Sequence, residues 1–193
     1  MEANGKKGGI FLAAAKLMKE NGYAGTSMRH IAAAMNMEAA SLYHHVSSKE
    51  EILRELCFGM AHAFNTAIQE INDIYFNAEE RLGMAVRAHI RQLTANLDAS
   101  HVFLHEWRHL SESAQQEFKK LRDNYEQSFR AILKSGEDEG VFSDVDRKFA
   151  VLTILSSLNW VVSWYKPEGE MQPEHIADRL TRFILNGLRK ETT

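Results

Sequence analysis

Cysteine occurs once, at Cys57, which excludes an internal disulfide framework and any zinc site built from several cysteines. Proline occurs twice in 193 residues, so long helices can run unbroken, and eleven glycines are too few for a turn-rich all-β protein. A basic excess is missing as well: the formal net charge of −3 at first counts against a nucleic-acid partner. Counted by region, the objection disappears. Residues 1–49 hold six Lys/Arg against three Asp/Glu, a balance of +3, and residues 50–193 hold 17 against 23, a balance of −6. A long apolar run is also wanting. The best candidate, Phe149 to Tyr165, is only 17 residues and contains Thr153, Ser156, Ser157, Asn159 and Ser163, so it reads as a buried or interface helix. The opening residues, MEANGKKGG, show no secretory pattern, and a soluble cytoplasmic protein with no membrane partner is expected.

What is present is helical periodicity in a globular composition of 45% hydrophobic and 25% charged residues. About nine helices are expected, and no alternating strand pattern is found. The first, residues 10–21, stops at Asn21-Gly22. Thr26 or Ser27 caps a second at 27–34, and a turn around Met35–Met37 leads to a third at 38–45. Ser47 and Glu50 form the S-x-x-E box of a long fourth helix, 49–75. The fifth and sixth follow at 79–98 and 100–110. Ser113 and Gln116 cap a seventh that ends before Gly136 or Gly140. The eighth spans about 146–166, and Pro173 opens the ninth, about 173–189. The fold class is all-α, with a three-helix domain at 1–48 and a larger helical ligand-binding and dimerisation domain at 49–193.

Two short helices joined by a tight turn form a helix-turn-helix, whose second helix enters the major groove of duplex DNA. Ser27–Ala34 is then the supporting helix and Glu38–His45 the reading helix. Ala39, Ala40 and Ser41 are small enough for close approach to base edges, and either alanine can touch a thymine methyl. Thr26, Ser27, Arg29, Tyr43, His44 and Lys49 bring the hydroxyl, guanidinium, imidazole and ammonium groups that DNA contacts use.

The segment IFLAAAKLMKENGYAGTSMRHIAAAMNMEAASLYHHVSSKEEIL, Ile10 to Leu53, resembles the DNA-binding region of the TetR family of bacterial regulators. Ala14, Gly22-Tyr23, Thr26, Ile31-Ala32, Leu42-Tyr43, His45 and Ser48-Lys49-Glu50 carry the likeness without a gap. It implies a two-domain all-α homodimer that represses from an operator and is released by a small ligand. On that likeness Thr26 and Lys49 contact phosphate, Tyr43 and His44 contact backbone and bases, and Ala39–Ser41 stand at the most sequence-specific positions. Two positions depart from the family pattern: Ala40 stands where glycine is frequent, and Glu38 where a small polar residue is frequent. Glu38 can accept from a cytosine amino group or repel phosphate.

Further on, His105-Glu106-Trp107-Arg108-His109 matches the H-E-x-x-H pattern of zinc proteases, with His101 one turn earlier. The extended pattern is absent, since Ser111, Glu112 and Gln115 occupy its later positions, and no edge strand is expected to hold a peptide. Solvent-facing or pocket-lining histidines are the simpler reading, so no enzyme activity, metal or cofactor is expected. A metalloenzyme, or a structural metal on His101, His105 and His109, is the alternative. Aromatic side chains at helical spacing are usually core, but some should line an apolar effector cavity. Met60, Phe64, His89, Leu93, Trp107, Tyr125, Phe129 and Trp160 are the candidates, and Arg108 or Arg122 can meet a phosphate or carboxylate, a surface ion pair being the alternative. The segments VFLHEWRHL (102–110), RDNYEQSFRAILKSGEDEGVF (122–142) and LNWVVSWYKPEG (158–169) look like the regulator subgroup that senses acyl-CoA thioesters. That likeness implies a small hydrophobic effector of that class; another apolar or drug-like molecule is the alternative. The helices at 146–166 and 173–189 are the expected homodimer interface, a four-helix bundle across a twofold axis. Two reading helices would then sit about 34–36 Å apart on a palindromic operator.

Overall fold

A computed structural model describes residues 5–74 and 76–189. Ten α-helices and one 3₁₀ turn account for their regular structure: α1 (Lys6–Gly25), α2 (Met28–Ala34), α3 (Ala39–Tyr43), α4 (Lys49–Asp73), α5 (Ala78–Ala95), α6 (Leu97–His105), the 3₁₀ turn Trp107–His109, α7 (Glu112–Asp138), α8 (Arg147–Asn159), α9 (Val161–Trp164) and α10 (Pro173–Leu188). No strand forms among the described residues; the one β-type pairing is an isolated bridge between Phe142 and Arg189. None of these helices is long and apolar enough to cross a membrane.

The helices fall into two compact units. The first takes in the described residues up to His62 together with Asn96–Lys119. In α1, Ile10, Ala14 and Met18 recur every four residues, with Phe11 and Ala15 beside them; all five are buried, and α1 packs on α6 and α2. Helical geometry lapses at Gly22, where φ is 72°, a left-handed value that glycine adopts freely. The chain therefore turns after Asn21, as its Asn-Gly pair predicts.

The N-terminus of α4 differs by one residue from expectation. Ser48 Oγ, not Ser47, accepts the third backbone N–H, from Glu51 at 3.0 Å, while Glu51 Oε2 accepts Ser47 N–H and Oγ–H at 2.6 and 2.7 Å. These bonds hold the Glu51 carboxyl below its ordinary range. Glu50, expected to close the box, instead accepts the Ser111 N–H at 3.0 Å.

The second unit comprises Ala63–Ala95 and Lys120 onward. Here α5 packs along α10, with Leu82, Val86 and Ile90 buried on one side and Ile176, Ala177, Ile184 and Leu188 on the other. Gly136 does not end α7. It is buried within that helix, and the Phe142 ring occupies the space a Cβ would need, 2.0 Å from it. The stop is Gly140, at φ 74°. The expected eighth helix is divided into α8 and α9. Ser163 N–H and Oγ–H both go to Trp160 O, at 3.0 and 2.7 Å, a tight turn that interrupts the i−4 ladder.

Candidate nucleic-acid interface and ligand pocket

In the first unit, Ser27 caps α2: its Oγ accepts His30 N–H at 3.2 Å, and His30 Nδ1 accepts Ser27 N–H at 3.4 Å. Asn36, at φ 51°, bends the chain into α3. That helix has a single fully buried side chain, Leu42, followed by buried Val46. Leu42 fixes the rotation of α3 and leaves Glu38, Ala40, Ser41, Tyr43 and His44 exposed, with Ala39 half-buried; Tyr43 is 54% accessible. Arg29 is exposed on α2 and Ser27 is half-buried at its start.

Two residues expected to contact phosphate, Thr26 and Lys49, make hydrogen bonds within the protein. Thr26 is 2% exposed, and its hydroxyl donates to Gly22 O at 2.9 Å, so it closes the end of α1 instead of facing outward. Lys49 Nζ donates to Tyr23 O and Thr26 O, both at 2.7 Å, and lies 4.0 Å from the Tyr23 ring centroid. Two of its three N–H groups therefore tie α4 to the end of α1, and at most one is left for a phosphate. Burial, then the charge of Glu50, pushes the Tyr23 phenol up.

The H-E-x-x-H segment has a structural occupation. The helix stops at His105, and Trp107–His109 form a 3₁₀ turn, so His105 and His109 do not share one helix face as the i, i+4 spacing predicts. Glu106 accepts Tyr23 N–H at 3.0 Å and lies 3.5 Å from His109 Nε2, while the His109 ring stacks on Tyr23 at 5.1 Å. Tyr23 is thus held by Lys49, Glu106 and His109 together. The His101 and His105 rings are 4.5 Å apart, and burial, then His105, lowers the His101 pKa. Among the described residues, no group of three or more His, Cys, Asp or Glu is arranged to hold a metal.

In the second unit, His89 is 3% exposed. Its Nδ1 is 3.0 Å from Tyr125 Oη and its Nε2 is 3.1 Å from Asn159 Oδ1. The Phe64 ring lies 4.7 Å from His89 and 5.4 Å from Tyr125. Burial depresses the His89 pKa to about 4, against a smaller upward effect of Asn159, and burial raises that of Tyr125. Both groups are neutral at physiological pH. Phe64, His89 and Tyr125 line a shallow cleft with Ala67, Ile68, Ile71, Ala85 and Ala88. Its space is about 160 Å³ including open solvent, with no interior room for a water molecule.

Three of the nine expected pocket residues therefore meet here. Leu93 and Phe129 are buried in the same unit without lining the cleft, although Phe129 meets Tyr125 edge-on at 5.3 Å. Met60, Trp107 and Arg108 belong to the first unit, where Trp107 packs on Phe118 and exposed Arg108 lies over the Trp107 ring. Trp160 is 67% exposed because it sits at the α8–α9 turn, where Leu158 and Val161 take the inward positions. Sequence reasoning missed Asn159 and the alanines; Ala85 and Ala88, at i and i+3 beside His89, were the available signal of a close approach.

A short helix mounted on one buried leucine with a small, polar outer face, behind a capped supporting helix, defines a helix-turn-helix regulator of transcription. Family-level comparison agrees. Residues 10–56 match the bacterial regulatory proteins of the tetR family, and residues 76–188 match the tetracyclin repressor-like C-terminal domain. The chain belongs to the TetR family. It is similar to the HTH-type transcriptional repressor KstR2 of Mycobacterium tuberculosis H37Rv, 28% identical over 98% of this chain and 96% of that protein. Among solved structures, the regulator PfmR from Thermus thermophilus is 35% identical, with a TM-score of 0.85 over 94% of this chain and 99% of that one. AibR, solved in complex with isovaleryl coenzyme A and operator DNA, is 29% identical, with a TM-score of 0.79 over 90% and 95% of the two chains.

Proposed function

We propose that this TetR-family regulator is a homodimeric repressor in the cytoplasm, held on a palindromic operator by its α3 helices and released by a small hydrophobic effector, an acyl thioester being favoured. The observation that carries the DNA-reading assignment is the exposure of Ala40, Ser41, Tyr43 and His44 around buried Leu42. Repression is favoured because the KstR2 relatives are named repressors. The thioester reading draws on AibR, whose complex contains isovaleryl coenzyme A. Dimerisation draws on α8 and α10, where Phe149 is 71% exposed, Phe183 78%, and Leu152 also lies open. Large apolar side chains concentrated on the helices expected to pair are better buried against a second copy. The division at residues 48–49 is a functional one, with the DNA-reading helices before it and α4 carrying the ligand signal towards them. An effector that shifts α4 changes the spacing of the two reading helices, and by linkage operator DNA weakens effector binding by the same factor.

The test is footprinting of the purified protein on its own upstream DNA, with and without isovaleryl coenzyme A. Expected are a protected palindrome, affinity that falls steeply with salt, and loss of protection with the thioester. Protection unchanged by any thioester would remove that effector class. Absence of salt-dependent duplex binding would remove the regulator reading altogether.

A further inference from the structure

The cleft of the second unit has one polar feature, the chain Tyr125–His89–Asn159, and its two ends share an uncommon property. A phenol and a carboxamide can each either donate or accept a hydrogen bond. A carboxylate or an ammonium in either place would fix the direction of the chain; here nothing does. With Asn159 Oδ1 facing Nε2, the ring carries its proton on Nε2, and the Tyr125 hydroxyl donates to Nδ1. With the Asn159 amide turned by half a rotation, its N–H donates to Nε2, the ring proton sits on Nδ1, and Nδ1–H donates to the Tyr125 oxygen. The phenolic O–H is then free to point elsewhere. Among the described residues nothing charged lines the cleft, and the surrounding side chains are Phe64, Ala67, Ile68, Ile71, Ala85 and Ala88. An ionic head group would arrive there without a counter-charge and at full desolvation cost. A neutral hydrogen-bond acceptor would not.

We infer that Tyr125, set by His89 and Asn159, is a specificity-determining hydrogen-bond donor for an effector whose polar group is a neutral carbonyl on an apolar body. The inference rests on the effector-binding reading above and narrows it to a chemical class that a ketone and an acyl thioester share. Binding reverses the chain. One proton leaves Nε2 and one arrives at Nδ1, exchanged through water while the cleft is open, so the imidazole stays neutral throughout. The cleft has no interior room for a water molecule, so its walls must part to admit a ligand, and Phe64, packed on both His89 and Tyr125, is one of them. Phe64 lies on α4, so admission of the carbonyl acts directly on that helix.

The experiment is long-range nitrogen–proton NMR of the full chain labelled in its histidine side chains. It reads which His89 nitrogen bears the proton during titration with 2-octanone, octanoyl-coenzyme A, octanoate and octylamine. The ketone, the thioester or both are expected to convert His89 to the Nδ1–H form, and which of them binds more tightly assigns the carrier. Tyr125→Phe should weaken carbonyl binding about tenfold, the effect of one net hydrogen bond. Tyr125 is buried, so Asn159→Asp serves as a second variant: a carboxylate keeps a proton on Nε2 in the neutral and the charged ring alike, and conversion to the form with Nδ1–H and a bare Nε2 should be abolished. Preference for octanoate or octylamine, an unchanged tautomer on carbonyl binding, equal affinity in both variants, or no His89 response to any probe would each overturn the inference. Footprinting keeps the two readings apart: a tautomer change in a protein that binds no operator refutes the regulator and leaves this subsite standing.

Discussion

The two units use their polar side chains in opposite ways. In the first, polarity fastens helix ends and faces outward: Ser27 caps α2, Lys49 and Glu106 grip Tyr23, and α3 exposes almost everything except Leu42. In the second, polarity is drawn inside: His89, Tyr125 and Asn159 bond one another beneath an apolar cleft. A surface that must meet phosphates and base edges needs a rigid mount and solvated groups. A site that must distinguish small apolar molecules needs a few desolvated polar atoms whose loss of a partner is costly.

The largest expected effect asks whether the two cores are equally packed. Phe118 in the first unit and Phe129 in the second are both fully buried, and each substitution to Ala should cost about 3–5 kcal/mol in urea unfolding. A loss below about 1 kcal/mol at either would break the symmetry assumed between the cores. Next comes pH, which should single out the second unit. The folded pKa of His89 lies near 4, below its ordinary 6.5, so the unfolded chain binds the proton more readily. Stability is therefore complete above about pH 6.5 and is lost as pH falls towards 4, by at most about 3 kcal/mol. His89→Gln should flatten that slope. His101, lowered by burial and His105, adds a smaller loss in the same direction. Glu51, Glu79 and Glu139, all lowered, contribute stability that goes only below their ordinary value of 4.5, so the range above about pH 5 reports on the histidines.

Lys49 and Tyr43 divide the first unit in the same spirit. Lys49→Ala removes two charge-assisted hydrogen bonds and should lower stability by about 2 kcal/mol together with DNA affinity. Tyr43→Ala, at an exposed position, should leave stability within about 0.5 kcal/mol while weakening binding to every operator sequence. Operator affinity unchanged in Tyr43→Ala would show that α3 is not the reading helix. Ser27→Ala removes the α2 cap and should cost about 1 kcal/mol by thermal or urea unfolding, less than Lys49→Ala.

Much of this architecture was legible because it is local. The Asn21-Gly22 stop, the Ser27 cap and the Pro173 start rest on residues within a turn of one another, and all lie where the pattern puts them. Errors arose where a local signal competed with a distant partner. Gly136 reads as a helix stop until Phe142 folds back over it. The i, i+4 spacing of His105 and His109 promises one helical face until Glu106 is drawn to Tyr23, 83 residues away in sequence. Thr26 reads as a surface hydroxyl until Gly22 O takes its proton inside the turn.

Sequence by itself determined the helical class, the order of the helices, the outward face of α3 and the TetR likeness, because periodicity, caps and a contiguous motif are properties of neighbouring residues. Tertiary structure alone decided that His89 is buried between Tyr125 and Asn159, 36 and 70 positions away, that Trp160 points outward, and that Lys49 donates to Tyr23 O and Thr26 O. The physical reason is common to all three. Whether a polar or aromatic side chain is a ligand, a strut or an exposed surface depends on which groups desolvate it, and those groups arrive from remote segments only when the helices pack.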